Sequence, residues 1–155
     1  MYTGPVFLGT PLQKPDAKFM YDTGSGVLTA TSTDCYMGCS SRVYNPSAST
    51  TCNTTDSRND TLEYGSANLT GTFMRDHVCL PSSGGDDQLC VQNLTLFAIT
   101  QAQGFDGLDG IVGFSPVVAD QPMESNTHIV RGLYEAGLIG SEVATFQING
   151  RDAQS

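Results

Sequence analysis

The sequence predicts a mostly β protein, and three observations lead to that prediction. Only 15% of the 155 residues are charged and 39% are hydrophobic, with abundant glycine, serine and threonine. This composition is typical of β-rich globular proteins and not of disordered or coiled-coil ones. Short apolar runs alternate with turns rich in glycine, and only one clear helical pattern interrupts them. A chain of this length is expected to bury the core of a single domain.

The predicted elements, in chain order, are a strand and turn over 1–13, two strands around a loop over 17–32, a loop over 33–60, a hairpin over 61–79, strands at 91–99 and 107–114, a helix over 126–136 and a last strand near 143–148. Asn126 is placed to cap the first turn of the helix, and Gly137 is placed to end it.

One stretch of the chain indicates chemistry. A strand beginning at Phe19 runs into the loop Asp22-Thr23-Gly24-Ser25, where glycine permits a sharp turn. The hydroxyls of Thr23 and Ser25 are expected to donate hydrogen bonds to the ionised carboxylate of Asp22. An ordinary Asx turn has the same residue types, so this stretch alone leaves both interpretations open.

The net charge of −9 excludes one class of partner. A chain without a basic stripe has nothing to neutralise phosphates, so we expect no nucleic acid partner. Solubility accounts for such acidity. No apolar run approaches the ~20 residues of a membrane helix, so no membrane segment is expected. The first residues show no signal-peptide pattern.

Five cysteines at this length suggest an oxidising compartment. Cys35 and Cys39 are close enough to bridge a small loop, and Cys79 and Cys90 bracket a predicted hairpin tip. Closing the larger loop is expected to contribute about 3 kcal/mol in the chain-entropy account. Cys52 is left over, either free, paired outside this chain, or competing for Cys35 or Cys39.

The Cys35-x3-Cys39 spacing is also half of a zinc site. The sequence offers no second pair of ligands at a workable spacing, and neither His77 nor His128 has a neighbour to complete one. We therefore expect no metal.

Four sequons agree with passage through the secretory pathway, although the motif arises often by chance. They begin at Asn53, Asn59, Asn68 and Asn93. Asn68 falls at the predicted tip of the 61–79 hairpin, where glycosylation is not expected.

Four ordered blocks of sequence together resemble the N-terminal lobe of pepsin-like aspartic proteases. The resemblance runs from Tyr2 to about Ile148. The blocks are Tyr2-x-Gly4-x-Val6-x-Leu8-Gly9-Thr10-Pro11-x-Gln13, Asp22-Thr23-Gly24-Ser25, Tyr64-Gly65-Ser66-Ala67-Asn68-Leu69-Thr70-Gly71-Thr72-Phe73 and Leu108-Asp109-Gly110-Ile111-Val112-Gly113-Phe114.

This resemblance implies a mostly β, half-barrel lobe with one or two short helices over residues 1–150, with 151–155 as a tail or the start of an interdomain linker and the C-terminal lobe absent. It implies an aspartic endopeptidase that needs no cofactor and hydrolyses peptide or protein substrates. Catalysis in that family needs two aspartates, and this sequence contains one Asp-Thr-Gly and no Asp-Ser-Gly. A second lobe or a second copy would supply the other. The implied location is extracellular or an acidic vacuole or lysosome.

The resemblance also implies roles for individual residues. The catalytic loop would be Asp22, Thr23, Gly24 and Ser25; the flap over the substrate would be Tyr64, Gly65 and Ser66; and the residues beneath the loop would be Ile111, Val112 and Gly113. A lone Tyr beside a Gly is otherwise a packed strand residue, and Asp109 is a weaker candidate for the catalytic carboxylate.

Two residues depart from the family pattern. Thr29 stands where relatives usually carry a tryptophan that supports the flap tyrosine, and Ala67 stands where they usually carry glycine. These departures leave three hypotheses: the N-terminal lobe of a two-lobed endopeptidase, a lobe that pairs with its own copy as retroviral proteases do, or a catalytically silent module that binds peptides or proteins.

Overall fold

The computed structural model describes residues 2–13, 16–39, 41–82, 88–116 and 126–146. Within these ranges the chain forms eight strands and one short α-helix, which confirms the mostly β prediction. The strands are β1 (Thr3–Gly4), β2 (Phe7–Leu8), β3 (Phe19–Asp22), β4 (Leu28–Thr31), β5 (Asn53–Tyr64), β6 (Ala67–Pro81), β7 (Gln88–Gln103) and β8 (Gly110–Gly113); the helix is α1 (Ile129–Glu135). The last strand predicted near 143–148 is wrong over 143–146, which are not strand, and 147–148 lie outside the described residues.

All eight strands belong to one mixed sheet. Its order is β1-β3-β8-β4-β7-β6-β2, with β5 paired to β6. Strand β8 runs parallel to β3 and antiparallel to β4, so it lies between two strands that are consecutive in the chain. The segment joining β3 to β4 therefore has to pass the end of β8. This topology places the Asp22 loop.

Side chains alternate across β8 into two hydrophobic clusters, as the two-residue period of a strand requires. Ile111 is 2% exposed and packs with Phe97, Phe73 and their neighbours. Val112 is fully buried in the other cluster, with Leu28. Because both faces of β8 are covered, the strand beneath the loop is held rigidly.

The hairpin is longer than the sequence predicts. Strand β5 begins at Asn53, so the prediction of loop through residue 60 is wrong. Its first nine residues are exposed and polar and give little local strand signal, but they pair with β6, and the Arg58 guanidinium lies 4.8 Å from the Phe73 ring centre. The expected tip position of Asn68 is also wrong, because Asn68 lies within β6 opposite Glu63.

A buried carboxylate holds the segment before β5 in place. Asp76 of β6 is fully buried and accepts hydrogen bonds from the hydroxyls of Tyr44 (2.7 Å), Ser49 (3.0 Å) and Thr51 (2.6 Å). A buried charge is tolerated when hydrogen bonds replace its hydration. The serines and threonines of this stretch therefore satisfy a charge on a strand far along the chain.

Helix α1 is shorter than predicted. The expected cap, Asn126, has a φ of 65° and its side-chain amide instead donates to the carbonyl of Asn93 in β7. His128 takes the N-cap position without making a capping bond. Gly137, with φ 71°, ends the helix as predicted. Within the described ranges, no helix has the length and hydropathy that a membrane crossing requires.

The structure contains two disulfides, and they join the pairs that the sequence suggested. Cys35 is bonded to Cys39 and Cys79 to Cys90. Cys52 is half-buried and forms no disulfide within the chain, so it does not compete for Cys35 or Cys39.

Candidate active site

The loop that carries Asp22 is fastened at both ends to the exit of β8. Asp22 is the last residue of β3 and lies opposite Gly113. The amide of Phe114 donates to the Asp22 carbonyl at 2.7 Å, and the amide of Ser115 donates to the Ser25 carbonyl at 2.9 Å. Two backbone hydrogen bonds thus fix the start and the turn of the loop to one short segment.

Gly113 allows the loop to lie this close. A Cβ atom at Gly113 would come within 2.5 Å of the Ser25 carbonyl oxygen and 2.6 Å of the Val27 nitrogen. Both are backbone atoms and cannot move aside as the end of a flexible side chain could. The position therefore requires glycine for space, which is a steric reason for the Gly113 of the last sequence block.

A backbone amide orients the Asp22 carboxylate. Its Oδ1 atom accepts a hydrogen bond of 2.9 Å from the Gly24 nitrogen, which is an Asx-turn bond. The expectation that Ser25 donates to this carboxylate is wrong, because the buried Ser25 hydroxyl has no hydrogen-bond partner. Asp22 is half-buried, and both Thr23 and Gly24 are exposed. The carboxylate is therefore held in place and remains accessible.

The hairpin turn between β5 and β6 brings Tyr64 to this loop. Tyr64 is half-buried and packs against the cluster that contains Ile111. Burial and, to a smaller extent, the negative charge of Asp22 together raise the pKa of its phenol to about 12, while the nearby Ser25 hydroxyl acts in the opposite direction. Tyr64, Asp22 and Ser25 therefore face one another.

The turn itself is the exposed pair Gly65 and Ser66. The Ser66 carbonyl lies against Gly104, where a Cβ atom would be only 2.2 Å from its oxygen, whereas a Cβ at Gly65 would meet nothing within 4 Å. One side of the turn thus rests on the end of β7 and the other side is open.

Asp109, the weaker sequence candidate, lies at the opposite end of β8 from Asp22. Asp109 comes just before Gly110, the first residue of β8. Gly110 and Gly113 are three residues apart, which is roughly 10 Å along a strand. Its carboxylate accepts hydrogen bonds from the Lys18 amide (2.6 Å) and the Ser41 hydroxyl. Asp109 therefore fastens a turn and lies away from the candidate site.

The structure corrects the expectation that His77 has no ligand-bearing neighbour. Ligand atoms of His77, Cys79 and Cys90 all lie within 4.8 Å of one another. Both sulfurs belong to one disulfide, however, and zinc binds thiolates. As the cysteines stand, this group has one nitrogen ligand and no thiolate.

The sequence alone did not show that His128 belongs to this site. Its ring lies against Gly26, where a Cβ atom would be 2.2 Å from the His128 Cε1 atom. Thr23 and His128 also line an open cleft of about 400 Å³, together with Phe114 and Arg131. The contact joins residues that are distant in the chain, so no local pattern could have revealed it.

The fold and the site together define a class of protein. It is a β lobe in which an accessible aspartate lies on a loop held close to Gly113, beneath a hairpin that carries a tyrosine. Residues 1–155 match the family described as "Eukaryotic aspartyl protease", and the chain belongs to this family.

The relatives support the same assignment. Gastricsin from Oryctolagus cuniculus is 30% identical over 162 aligned positions, which cover 96% of this chain and 37% of that protein. Gastricsins from Callithrix jacchus and Homo sapiens are 29% and 28% identical, and each alignment covers 99% of this chain and 38% of the relative. The chain spans less than two-fifths of the length of these relatives.

Proposed function

We propose that this chain is the N-terminal lobe of an aspartic endopeptidase and that Asp22 is one of its two catalytic carboxylates. The observation that carries the proposal is the position of Asp22, which is oriented by the Gly24 amide and faces Tyr64 on the hairpin. Membership of the aspartyl protease family supports a protease of this kind.

The chemistry requires two carboxylates that share one proton. Like charges a few ångströms apart do not both ionise readily, so one carboxylate is the base and the other the acid. The base removes a proton from a water molecule, the water attacks the scissile carbonyl, and the acid protonates the developing oxyanion. Because this sequence has one Asp-Thr-Gly, we propose that a second lobe supplies the other aspartate.

The raised pKa of Tyr64 supports a role for its protonated phenol at the site. With its pKa raised to about 12, the phenol remains protonated at every pH at which a carboxylate pair works. It is therefore a neutral hydrogen-bond donor beside a charged carboxylate.

We propose that Tyr64, Gly65 and Ser66 close over a bound peptide. We also propose that residues 1–150 form the lobe and that Ile111 and Val112 support the loop from below.

One feature favours a second candidate function, a silent module that binds peptides or proteins. Thr29 in β4 and Ala67 at the start of β6, the two departures from the family pattern, are both buried. The intact Asp22 loop favours the endopeptidase. The two disulfides support a place in the secretory pathway for either function.

Peptide cleavage by the 155-residue chain and by the full-length protein that contains it distinguishes the hypotheses. A quenched peptide is assayed between pH 4 and 6, with and without pepstatin, while the mass in solution is measured. We expect an inactive monomer from the chain alone and pepstatin-sensitive cleavage from the full-length protein. Activity of the chain that rises with the square of its concentration would indicate a homodimer. A full-length protein that neither cleaves nor binds pepstatin would indicate a silent module.

A further inference from the structure

Three buried polar atoms lack a hydrogen-bond partner in the described part of the chain, and they belong to two adjoining segments. They are Ser25 Oγ, Thr127 Oγ1 and His128 Nε2. Buried polar groups are nearly always paired, so a group of unpaired ones needs a physical reason. Here they lie on the Asp22 loop and on the residues that lead into α1.

The two segments meet where His128 contacts Gly26. A Cβ atom at Gly26 would lie 2.2 Å from Cε1 and 2.8 Å from Nε2 of the imidazole, so the ring occupies the space that any larger residue would need. His128 is only 8% exposed, and although it holds the N-cap position of α1, its side chain makes no capping bond. The ring therefore contacts the loop and makes no capping bond to its own helix.

We propose that the neutral ring of His128 positions the loop from Asp22 to Gly26, and that protonation of this ring in acid loosens the loop. The inference rests on the proposed function, because it concerns how the proposed catalytic carboxylate is held. His128 is a positioning residue in this account: it touches Gly26 and acts on Asp22 through the backbone between them.

The surroundings of His128 favour its neutral form. Burial lowers the pKa of the ring, and the positive charge of Arg131 on α1 lowers it further. A hydrogen bond between the ring and the backbone of Ser115, after β8, and the carboxylate of Glu142, after α1, act in the opposite direction. Glu142 is also hydrogen-bonded to Arg131 at 2.7 Å, so its charge is largely shared. Within the loop from Asp22 to Gly26, Asp22 is the titratable residue.

The sign of the effect follows from this lowered pKa. Between the folded-state pKa and the ordinary value of 6.5, the unfolded chain binds more protons than the folded chain. The contribution of His128 to stability is thus complete above pH 6.5 and is lost as the pH falls through the folded-state pKa. A proton on Nε2 would then be a buried donor without an acceptor, and the contact with Gly26 has to open.

Nuclear magnetic resonance of the ¹⁵N-labelled 155-residue chain tests this inference without measuring activity. The pH is lowered from 8 to 4 while the His128 Cε1 proton, the Gly26 amide and the hydrogen-exchange protection of the Ser115 amide are followed. The Ser115 amide reports the bond of 2.9 Å to the Ser25 carbonyl. We expect a His128 midpoint below 6.5, with the Gly26 shift and the loss of Ser115 protection at that same midpoint.

Three variants test whether the changes at Gly26 and Ser115 depend on His128. Asp22→Asn removes the titration of the loop carboxylate, and the His128-linked changes at Gly26 and Ser115 are expected to persist. His128→Gln is expected to abolish them. His77→Gln is the matched control, because His77 lies beside the Cys79–Cys90 disulfide, and there the changes are expected to remain.

A His128 midpoint at or above 6.5, or loop amides that do not follow that midpoint, would overturn the inference. Both results are read from the wild-type chain, so they stand even if His128→Gln does not fold. A full-length protein without peptidase activity would overturn the proposed function and leave this coupling measurable.

Discussion

The amide of Ile111 donates a hydrogen bond of 3.0 Å to the hydroxyl of Thr29, the residue that replaces the usual tryptophan. Thr29 is fully buried in β4 and lies opposite Ile111 of β8. Its side chain therefore satisfies a buried backbone donor in the strand beneath the Asp22 loop. Tyr64 packs against the cluster that contains Ile111, so apolar contacts support this tyrosine.

Thr29→Val is expected to destabilise the fold by about 1–3 kcal/mol, because the nearly isosteric valine leaves the buried Ile111 amide without an acceptor. Thr29→Ser keeps the hydroxyl and is the matched control, with a smaller loss from the missing methyl group. Urea unfolding of both variants measures the difference. Equal stability of the valine and wild-type chains would contradict the role given to this hydroxyl.

The Tyr64 phenol is expected to ionise at a pH near its raised pKa of about 12, whereas an exposed tyrosine ionises near 10. Because the Asp22 charge contributes to this shift, Asp22→Asn is expected to lower the pKa of Tyr64. Ultraviolet titration, with Tyr64→Phe to identify the signal, measures both effects. A Tyr64 pKa that is the same in the wild-type and Asp22→Asn chains would show that the two groups do not face each other.

Gly113→Ala is expected to cost at least about 1–3 kcal/mol, since the added methyl meets the backbone of Ser25 and Val27. Gly140→Ala is the matched control, because a Cβ atom there meets nothing within 4 Å and Gly140 is exposed. Thermal unfolding compares the two. The account fails on this point if alanine is tolerated equally well at both positions.

Cys52 is expected to react slowly with iodoacetamide in the folded chain. Burial raises the pKa of its thiol, the Asp76 charge raises it further, and a hydrogen bond from Tyr44 only partly offsets them. Thiolate is the reactive form, so the rate should increase sharply in urea and, in the folded chain, with rising pH. Mass spectrometry follows the alkylation. A folded-state rate equal to that in urea would indicate an exposed Cys52.

The parts of the fold that local sequence encodes were predictable. The Asp22 loop was recognisable because an apolar strand, an Asp and closely spaced glycines are neighbours in the chain. The start of β5 was not, because residues 53–60 are polar and become a strand only through pairing with β6. Asn126 has the chemistry of a helix cap, but a contact with Asn93, far away in sequence, gives it a different backbone conformation.

The candidate site also has features that local sequence predicts and features that only the assembled fold creates. Asp22 and Tyr64 belong to short sequence blocks, so their identity was predictable, whereas their proximity depends on the position of β8 between β3 and β4. The contact of His128 with Gly26 has no local signal at all. It exists because α1 packs onto the sheet near the loop, and only the assembled fold brings the two residues together.

Peptide turnover by two variants of the full-length protein tests whether Asp22 supplies one of two catalytic carboxylates. Asp22→Asn keeps the shape of the side chain but removes the base, so kcat is expected to fall roughly 10²–10⁴-fold with little change in melting temperature. Asp109→Asn, the matched control at the other end of β8, is expected to keep its activity per folded molecule. Unchanged turnover by the Asp22→Asn protein would contradict the account.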